Sequence, residues 1–266
     1  MSKYIKSTLA VSMMMTFYGV VSASGSICVG YGPQTPRDID NDNGKNKQIY
    51  SIAPKYENMN LCNIHFHKNA EHKAKDFSIY AGPGKHGVGG GYKCAISEKL
   101  TNKELTPFKG NVCNGIKPGD TIEVHWVFTS CATQPGKGLG SCLSKSCANP
   151  NLRVESQVFT VVNDAQAIDF NKFNYAGDKV AGYYQPKALP TDTGTPVTFI
   201  GSTTGPNYNA KKCSSVQATW SVRPQCAKVD INSLAKWCEA NPFKEHSAHG
   251  VRKLVVDERL LAEIKD

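Results

Sequence analysis

The residues best suited to chemistry are three histidines in two separate segments of the chain. His65 and His67 lie in the stretch Asn-Ile-His-Phe-His, and His125 lies in Glu-Val-His-Trp. Because successive side chains of a β-strand point to opposite faces, His65 and His67 project from the same face. A neighbouring strand can add His125 to that face. Three imidazoles with a fourth position left open are the ligand arrangement of catalytic zinc, whereas structural zinc is usually closed by four protein ligands.

Both segments also carry a polar residue two positions before a histidine. Asn63 precedes His65 and Glu123 precedes His125, each on the strand face of its histidine. Such a partner can accept the free ring N–H, which fixes the tautomer and the orientation of a metal-bound imidazole. A lone His-x-His on a strand is more often a chance or surface pattern. The matched polar partners in both segments favour the metal-site interpretation.

The sequence leaves two questions about this site open. A purely structural zinc centre closed by His72, which follows Glu71 shortly after the first pair, is an alternative to the open site. Three imidazoles also bind Co²⁺ or Cd²⁺ as well as Zn²⁺, so affinity order does not decide the native metal. We expect an open site that holds Zn²⁺.

Strand patterns dominate the segments that must position these residues. Alternating or apolar runs of β-branched and aromatic residues predict strands at 60–67, 77–81, 92–96, 121–129, 152–162, 196–200 and 218–222. A helix capped by Asp230 is predicted through Cys238, and a second helix is predicted at 254–264. The chain shows no internal repeat and no linker. It is therefore predicted to form one mainly-β domain.

The first residues have the pattern of an export signal. Two lysines, a short apolar run and Val21-Ser22-Ala23 predict a signal peptide at 1–23, cleaved after Ala23, with the domain at 24–266. No other stretch is apolar and long enough to cross a bilayer. We therefore expect an exported protein, periplasmic or secreted.

All ten cysteines follow Ala23, and an even number in an exported chain predicts disulfides. Their spacing does not fix the connectivity. The pairs considered from spacing are Cys142–Cys147, Cys226–Cys238 and Cys28–Cys213. The segment 132–150, rich in Gly, Ser, Lys and Pro, is predicted to be a loop pinned by a disulfide.

The net charge of +9 comes from lysines that are scattered along the chain. Scattered charge is typical of a solvated surface, and no stripe of Arg and Lys interleaved with aromatic residues occurs. The sequence therefore argues against a nucleic-acid partner, and it does not predict an oligomeric state.

The order of the motifs resembles that of the carbonic anhydrases, most closely the delta class. The resemblance runs from residue 62 to about 222 and is carried by the histidine segments, Glu71-His72, the stretch 199–206 that reads Phe-Ile-Gly-Ser-Thr-Thr-Gly-Pro, and Ala218-Thr-Trp. It implies a large, mostly antiparallel central sheet with a few peripheral helices. It also implies reversible hydration of carbon dioxide to bicarbonate, with a zinc-bound hydroxide as nucleophile.

The resemblance further implies roles for individual residues. His65, His67 and His125 would be the zinc ligands, with Asn63 and Glu123 orienting the first and the third. His72 would be a buried structural neighbour of the ligands.

In the same family pattern, the hydroxyl of Thr203 would accept a hydrogen bond from the nucleophile and donate its own to Glu71. Thr204 is the alternative to Thr203, because the register of this motif is uncertain by one residue. Val127, two positions after His125, would form part of an apolar wall that holds carbon dioxide.

Two departures from the better-known alpha class affect this expectation. Glu71 lies only four residues after His67, which is more like the delta class. No histidine precedes His65, so the usual proton-shuttle histidine of fast alpha enzymes is missing. His86, in a glycine-rich loop, can substitute, because imidazole titrates near neutral pH. His246 and His249 are read as exposed histidines without function.

The sequence also leaves two other functions open. A zinc esterase or other hydrolase would use the same three histidines, but such enzymes usually pair the metal with a general-base carboxylate, as in His-Glu-x-x-His, and that motif is absent. A non-catalytic binding module of the same fold would be expected to have lost a ligand. All three histidines are present.

Overall fold

One mixed sheet of seven strands organises the part of the chain that the structure describes. The structure, a computed structural model, describes residues 38–40, 51–85, 90–110, 113–148, 150–203, 216–251 and 261. Within these ranges the strands are β1 (Asn60–Lys68), β2 (Ile79–Tyr80), β3 (Tyr92–Lys93), β4 (Thr121–Thr129), β5 (Leu152–Val162), β6 (Tyr175–Val180), β7 (Tyr183–Pro186), β8 (Val197–Thr203), β9 (Val216–Val222), β10 (Ala227–Asp230) and β11 (His249–Gly250). The large sheet has the order β11-β1-β4-β5-β9-β8, and β10 pairs with β5.

The three long pairings of this sheet are antiparallel, and the three shorter pairings are parallel. β4 pairs antiparallel with β1 on one side and with β5 on the other, and β8 pairs antiparallel with β9. β11, β9 and β10 add parallel pairings of two or four residues each. The fold is thus mainly β on one large sheet, as expected, and the parallel pairings make that sheet mixed.

Both faces of the sheet are covered, which explains why β4 is buried along its whole length and β1 and β5 along most of theirs. One face packs Ile64, Phe66 and Trp126 against the helix α1 (Ile231–Glu239) and the 3-10 turn at Phe170–Phe173. The other face carries a second apolar cluster that includes Val127, Val154 and Trp220. The alternation of side chains read from the sequence therefore separates two different buried layers.

The predicted cap of α1 is confirmed in the structure. The side chain of Asp230 accepts a hydrogen bond from the backbone N–H of Asn232 at 3.3 Å, and Ser233 Oγ donates to the Asp230 carbonyl at 2.7 Å. The first bond satisfies one of the backbone N–H groups that the first turn of a helix leaves without an intrahelical partner, and the second ties the Ser233 side chain to the cap residue. No helix of the described residues is both long and apolar enough to span a bilayer.

The disulfide pairs considered from spacing are wrong where the structure tests them. Cys142 bonds to Cys62 and not to Cys147, and Cys226 bonds to Cys94 and not to Cys238. The remaining described bridges are Cys113–Cys238 and Cys131–Cys147. Proximity in sequence misled the assignment, because three of the four bridges join distant segments that the sheet brings together. The segment 132–150 is nevertheless pinned by disulfides, through Cys142 and Cys147.

Two predicted strands are shorter than expected. Only Ile79–Tyr80 of 77–81 and Tyr92–Lys93 of 92–96 are strands, and they pair with each other outside the main sheet. Ala95–Lys99 forms a 3-10 turn directly after Cys94. Cys94, which precedes this turn, is bridged to Cys226. The predicted leader at 1–23, the pair Cys28–Cys213 and almost all of the helix at 254–264 lie outside the described residues.

Candidate metal centre

The pairing of β1 with β4 places the three histidines in one cluster. His65 and His125 are direct partners across the two strands, so their side chains rise side by side from one face. His67 follows on the same face of β1. The centroids of the three rings are 4.9 to 5.3 Å apart. Each histidine offers a nitrogen that lies within 4.8 Å of the nitrogens of the other two.

Each histidine uses one ring nitrogen for a protein contact and keeps the other for the cluster. Nδ1 of His65 lies 2.7 Å from Oδ1 of Asn63. Nδ1 of His67 lies 3.2 Å from the carbonyl oxygen of Gly250. Nε2 of His125 lies 3.2 Å from Oε1 of Glu123. The nitrogens left for a common ligand are therefore Nε2 of His65, Nε2 of His67 and Nδ1 of His125.

The spacing and charge of these nitrogens fit a metal ion. Nε2 of His65 lies 3.3 Å from Nδ1 of His125, and two nitrogens bound to a tetrahedral zinc at about 2.0 to 2.1 Å are about 3.3 to 3.4 Å apart. Burial, and then the neighbouring histidines, lower the pKa of His65 and of His67 well below 6.5. Both imidazoles are thus neutral at pH 7, which is the form that binds metals.

Glu123 is a fully buried carboxylate that organises the layer behind the histidines. Its Oε1 accepts hydrogen bonds from Nδ1 of His72 and Oγ of Ser156, both at 2.6 Å. Its Oε2 accepts from the backbone N–H groups of Glu71, at 2.5 Å, and of His72, at 3.3 Å. Burial raises the pKa of Glu123, but His72 and His125 outweigh burial and hold that pKa well below its usual range. The carboxylate is therefore charged at neutral pH.

A second group of possible ligands, His72, Glu123 and His125, overlaps the first. Its shortest contact, 2.6 Å between Nδ1 of His72 and Oε1 of Glu123, has the length of a charge-assisted hydrogen bond. That distance is well below the about 3.3 Å that separates two ligands of one tetrahedral zinc. This group is better described as a hydrogen-bond network behind the three histidines, and it gives no support to a zinc site closed by His72.

A cavity of about 200 Å³ opens in front of the three histidines. Part of its wall is apolar and is formed by Val127 and Val154 from the central strands, Trp220 from β9 and Leu139 from the loop after β4. The ring of Trp220 stands almost perpendicular to that of His125, with 4.9 Å between the centroids. The site therefore combines a cluster of nitrogen donors with a wall that offers little hydrogen bonding.

The other residues singled out in the sequence fall into three groups. Glu71 and Thr203 both line the cavity, and Oε1 of Glu71 lies 3.3 Å from Nδ1 of His67. His72 is completely buried behind the cluster and packs against Trp220, with 4.8 Å between the ring centroids. Thr204 and His86 lie outside the described residues.

Some residues of the site were not identified from the sequence. His249, read as an exposed histidine without function, lines the cavity, and its ring centroid is 5.1 Å from that of His65. It arrives there because β11 pairs in parallel with β1, with His249 opposite His67. Nothing in the local sequence signals this pairing. Ser156 lies opposite His125 on β5; the alternation of that strand predicts its face, but the register that brings it to the site comes from the structure.

Comparison with known proteins identifies related chains. A family model described as "CA_like: Delta carbonic anhydrase" matches residues 56–233. No curated protein sequence matches this chain significantly. Among solved structures, the chain is similar to an alpha-carbonic anhydrase from Thermovibrio ammonificans in complex with sulfanilamide, with 14% identity over 88% of this chain and 87% of that one and a TM-score of 0.37.

Two further solved structures show similarity at the same low level. A hyperthermostable carbonic anhydrase from an active hydrothermal vent chimney is 14% identical over 88% of both chains, with a TM-score of 0.35. A halotolerant carbonic anhydrase from Dunaliella salina is 16% identical over 57% of this chain and 53% of that one, with a TM-score of 0.31. Likenesses this distant assign no role to individual residues of this chain.

Proposed function

This chain belongs to the delta carbonic anhydrase family, and from that premise we propose that it hydrates carbon dioxide reversibly to bicarbonate at a zinc ion held by His65, His67 and His125. The single observation that carries the proposal is the convergence of three ring nitrogens from two strands, two of them 3.3 Å apart. When bound by such a set, zinc lowers the pKa of a coordinated water to about 7, a value established for carbonic anhydrases as a class.

The chain's own contribution begins with the orientation of the three imidazoles. Asn63 and the Gly250 carbonyl lie within hydrogen-bond distance of the ring nitrogens of His65 and His67 that do not face the cluster, and Glu123 places a carboxylate oxygen 3.2 Å from Nε2 of His125. The first two partners favour the tautomers of His65 and His67 whose free nitrogen faces the cluster, and the charge of Glu123 favours a proton on Nε2 of His125. Neutral imidazoles would also leave the charge of a bound cation uncompensated.

The cavity wall accounts for the choice of substrate in this proposal. Carbon dioxide is small and has no net dipole, so an apolar wall of Val127, Val154 and Trp220 can hold it next to the histidines without having to satisfy a hydrogen-bond donor. Thr203 and Glu71 stand at the same cavity. In our proposal the Thr203 hydroxyl orients the nucleophile by accepting a hydrogen bond from it, and it donates its own hydrogen bond to Glu71.

The hydrolase alternative requires a carboxylate that is free to act as a general base on water. Among the described residues, Glu71 supplies the carboxylate of the cavity lining, and it lies 3.3 Å from a ring nitrogen of His67. That contact favours a supporting role for Glu71. No feature of the described site specifically favours hydrolysis.

We also propose that the protein is exported to an oxidising compartment, periplasmic or extracellular. The four described disulfides are consistent with export, since such bridges persist in oxidising environments.

The proposal is tested by metal analysis and stopped-flow carbon dioxide hydration on the purified protein. We expect one zinc per chain, loss of activity on removal of the metal with a chelator, and recovery on addition of Zn²⁺. His125→Ala should lose both metal and activity. His246→Ala, which changes an exposed histidine bonded to the Cys238 carbonyl, is the matched control and should keep both. Absence of bound metal, or ester hydrolysis without carbon dioxide hydration, would overturn the proposal.

A further inference from the structure

A short loop after β4 contacts the metal-site strand β1 at the residues next to the first histidine. We call residues 136–142 the anchored loop. Its last four residues, Leu139–Cys142, form a 3-10 turn, and Gly138 and Leu139 line the cavity. Cys142 is bonded to Cys62 of β1, one residue before Asn63. The loop is thus attached to the strand that carries His65 and His67.

A β-bulge at Cys62 makes this attachment possible. The register of β1 against β4 shifts between Leu61 and Asn63, so Cys62 has no partner of its own in the ladder. Its carbonyl oxygen accepts hydrogen bonds from the backbone N–H of Gly136 at 2.9 Å and from the hydroxyl of Ser141 at 2.8 Å. Bulges often occur beside active sites, where they redirect a side chain. Here the bulge provides the point to which the loop is bound.

The Asn63 amide connects the anchored loop to His65. Its Nδ2 donates to the carbonyl oxygen of Gly136 at 3.0 Å, and its Oδ1 faces Nδ1 of His65 at 2.7 Å. A carbonyl oxygen can only accept, so Gly136 determines which end of the amide faces the histidine. With Oδ1 facing the ring, Nδ1 must carry the proton. The lone pair is then on Nε2, the nitrogen that faces the other histidines.

The opposite orientation of the amide would disable the site. If the Gly136 carbonyl moved away, the amide could turn and present Nδ2 to the ring. Nδ1 would then accept, Nε2 would carry the proton, and His65 could no longer offer that nitrogen to a metal. The loop contains glycines at 136, 138 and 140, which make it intrinsically flexible. The position of its carbonyl therefore depends on the bonds that tie it to Cys62.

We propose that the anchored loop, held by the Cys62–Cys142 disulfide and by Ser141, sets the tautomer of His65 through the Asn63 amide. The inference rests on the proposed function in that it assigns positioning residues to the same metal site. Ser141 supports the arrangement because its hydroxyl is within reach of three carbonyl oxygens, at 2.7 Å for Gly138, 2.8 Å for Cys62 and 3.2 Å for Gly136.

The test is a double-mutant cycle between the disulfide and Asn63 in the full chain. Zinc affinity is measured by chelator competition for the wild type, Asn63→Ala, Cys62→Ala/Cys142→Ala and the triple variant. Removing the bridge should weaken zinc binding by about 10- to 100-fold, as loss of a partner of a ligating histidine does. In the Asn63→Ala background the same removal should weaken it little further, because the bridge acts through Asn63.

The matched control is Cys131→Ala/Cys147→Ala, which opens the other bridge of the same segment and leaves Cys62 and Asn63 untouched. It should keep the zinc affinity of the wild type. The inference would be overturned if removing the Cys62–Cys142 bridge weakened zinc binding equally in the wild type and in Asn63→Ala. It would also be overturned if the control variant lost as much zinc affinity. Should the Cys62→Ala/Cys142→Ala variant fail to fold, Ser141→Ala takes its place. Its control is Ser144→Ala, which removes a hydroxyl that lies 3.2 Å from the hydroxyl of the neighbouring Ser146.

A second readout separates this inference from the proposed function. The ¹⁵N shifts of the His65 ring in the metal-free protein report its tautomer directly. The wild type should carry the proton on Nδ1, and Cys62→Ala/Cys142→Ala should show a mixture of tautomers. This result does not depend on zinc binding or on carbon dioxide hydration. A mixed tautomer in the wild type, or an unchanged tautomer without the bridge, would overturn the role of the loop.

Discussion

At the scale of single residues, Glu123 contributes both to the stability of the fold and to the arrangement of the proposed metal ligands. A carboxylate without exposure to solvent is costly unless its oxygens are satisfied, and here four donors from His72, Ser156 and the backbone of residues 71 and 72 meet it. The same carboxylate lies 3.2 Å from Nε2 of His125. Its charge therefore serves the fold and the orientation of a proposed ligand at once.

Replacing Glu123 with Gln should lower both the stability of the fold and the affinity of the site for zinc. Gln keeps the shape but loses the charge and brings an NH₂ group toward donors, so at least one buried donor loses its acceptor. We expect a loss of about 1 to 3 kcal/mol in the free energy of unfolding and an about 10- to 100-fold weaker affinity for zinc. Chemical denaturation and chelator competition measure the two. Glu98→Gln, which neutralises a carboxylate far from the histidines in sequence, is the control, and equal behaviour of the two variants would contradict this role of Glu123.

Val127 offers a test of the cavity that leaves the ligands in place. It is 2% exposed and lines the cavity two residues after His125. Val127→Phe should fill the space proposed for carbon dioxide, at a cost of about 1 to 3 kcal/mol in stability from overpacking. Stopped-flow assays should show strongly reduced hydration, while chelator competition shows unchanged zinc affinity. Wild-type activity in a variant confirmed to fold would argue against this wall as the substrate site.

At the scale of elements, an ion pair joins the turn at 101–106 to β10. Glu104 bonds to the ammonium group of Lys228, and its Oε2 accepts from the backbone N–H and the hydroxyl of Thr101, at 2.8 and 2.9 Å. The carbonyl of Glu104 accepts from the backbone N–H of Asn163 at the end of β5. The turn is thereby attached to two neighbouring strands. The bond to Lys228, followed by those to Thr101, lowers the pKa of Glu104 to about 2.

This attachment should make stability depend on acid pH in a predictable way. In the unfolded chain the pKa of a glutamate is about 4.3, so the folded state binds this proton more weakly. The stabilisation is therefore fully present above that value and is lost as the pH falls toward 2. Glu104→Gln should be less stable than the wild type at pH 7, and the difference should shrink as the pH falls below about 4.3. Urea unfolding of both proteins at several pH values measures this difference in stability. A difference that does not change with pH would contradict the proposed role of the Glu104 carboxylate.

The elements nearest the histidines could be predicted from the sequence because their signal is local. β4 and β5 occupy 121–129 and 152–162 as expected, and the predicted helix cap at Asp230 is present. Alternation along β1 places His65 and His67 on one strand face, and alternation along β4 predicts the face of His125. The structure supplies the cross-strand register that brings them together.

What the sequence could not supply depends on contacts between distant segments. His249 and the Gly250 carbonyl reach the site through a two-residue parallel pairing, for which no sequence pattern exists. The sequence also gives no signal of the bulge at Cys62, because an extra residue in a strand does not interrupt its apolar run. The bridge Cys62–Cys142 joins residues 80 apart, and such pairings follow from the sheet order and not from spacing.

At the scale of the whole molecule, two long bridges join the segment of β10 and α1 to the segment between β3 and β4. We call Cys94–Cys226 and Cys113–Cys238 the long bridges, with sequence separations of 132 and 125. Their ends are close in sequence: Cys94 and Cys113 are 19 residues apart, and Cys226 and Cys238 are 12 apart. In the unfolded chain, each long bridge therefore already limits the loop that the other one closes.

Because each long bridge already restricts the unfolded chain that the other one restricts, the stability losses from removing them should not be additive. When one long bridge is in place, the second closes an effective loop of about 30 residues and should add about 3 to 4 kcal/mol to the free energy of unfolding in the chain-entropy account. When it is the single long bridge present, it closes a loop of more than about 100 residues and should add about 5 kcal/mol. Replacing both with Ala should thus cost more stability than the two single removals together. Guanidinium unfolding of the four proteins measures this. Removal of Cys131–Cys147, whose separation is 16, should add independently to either single removal. Strict additivity of the long bridges would show that they act mainly through contacts in the folded state.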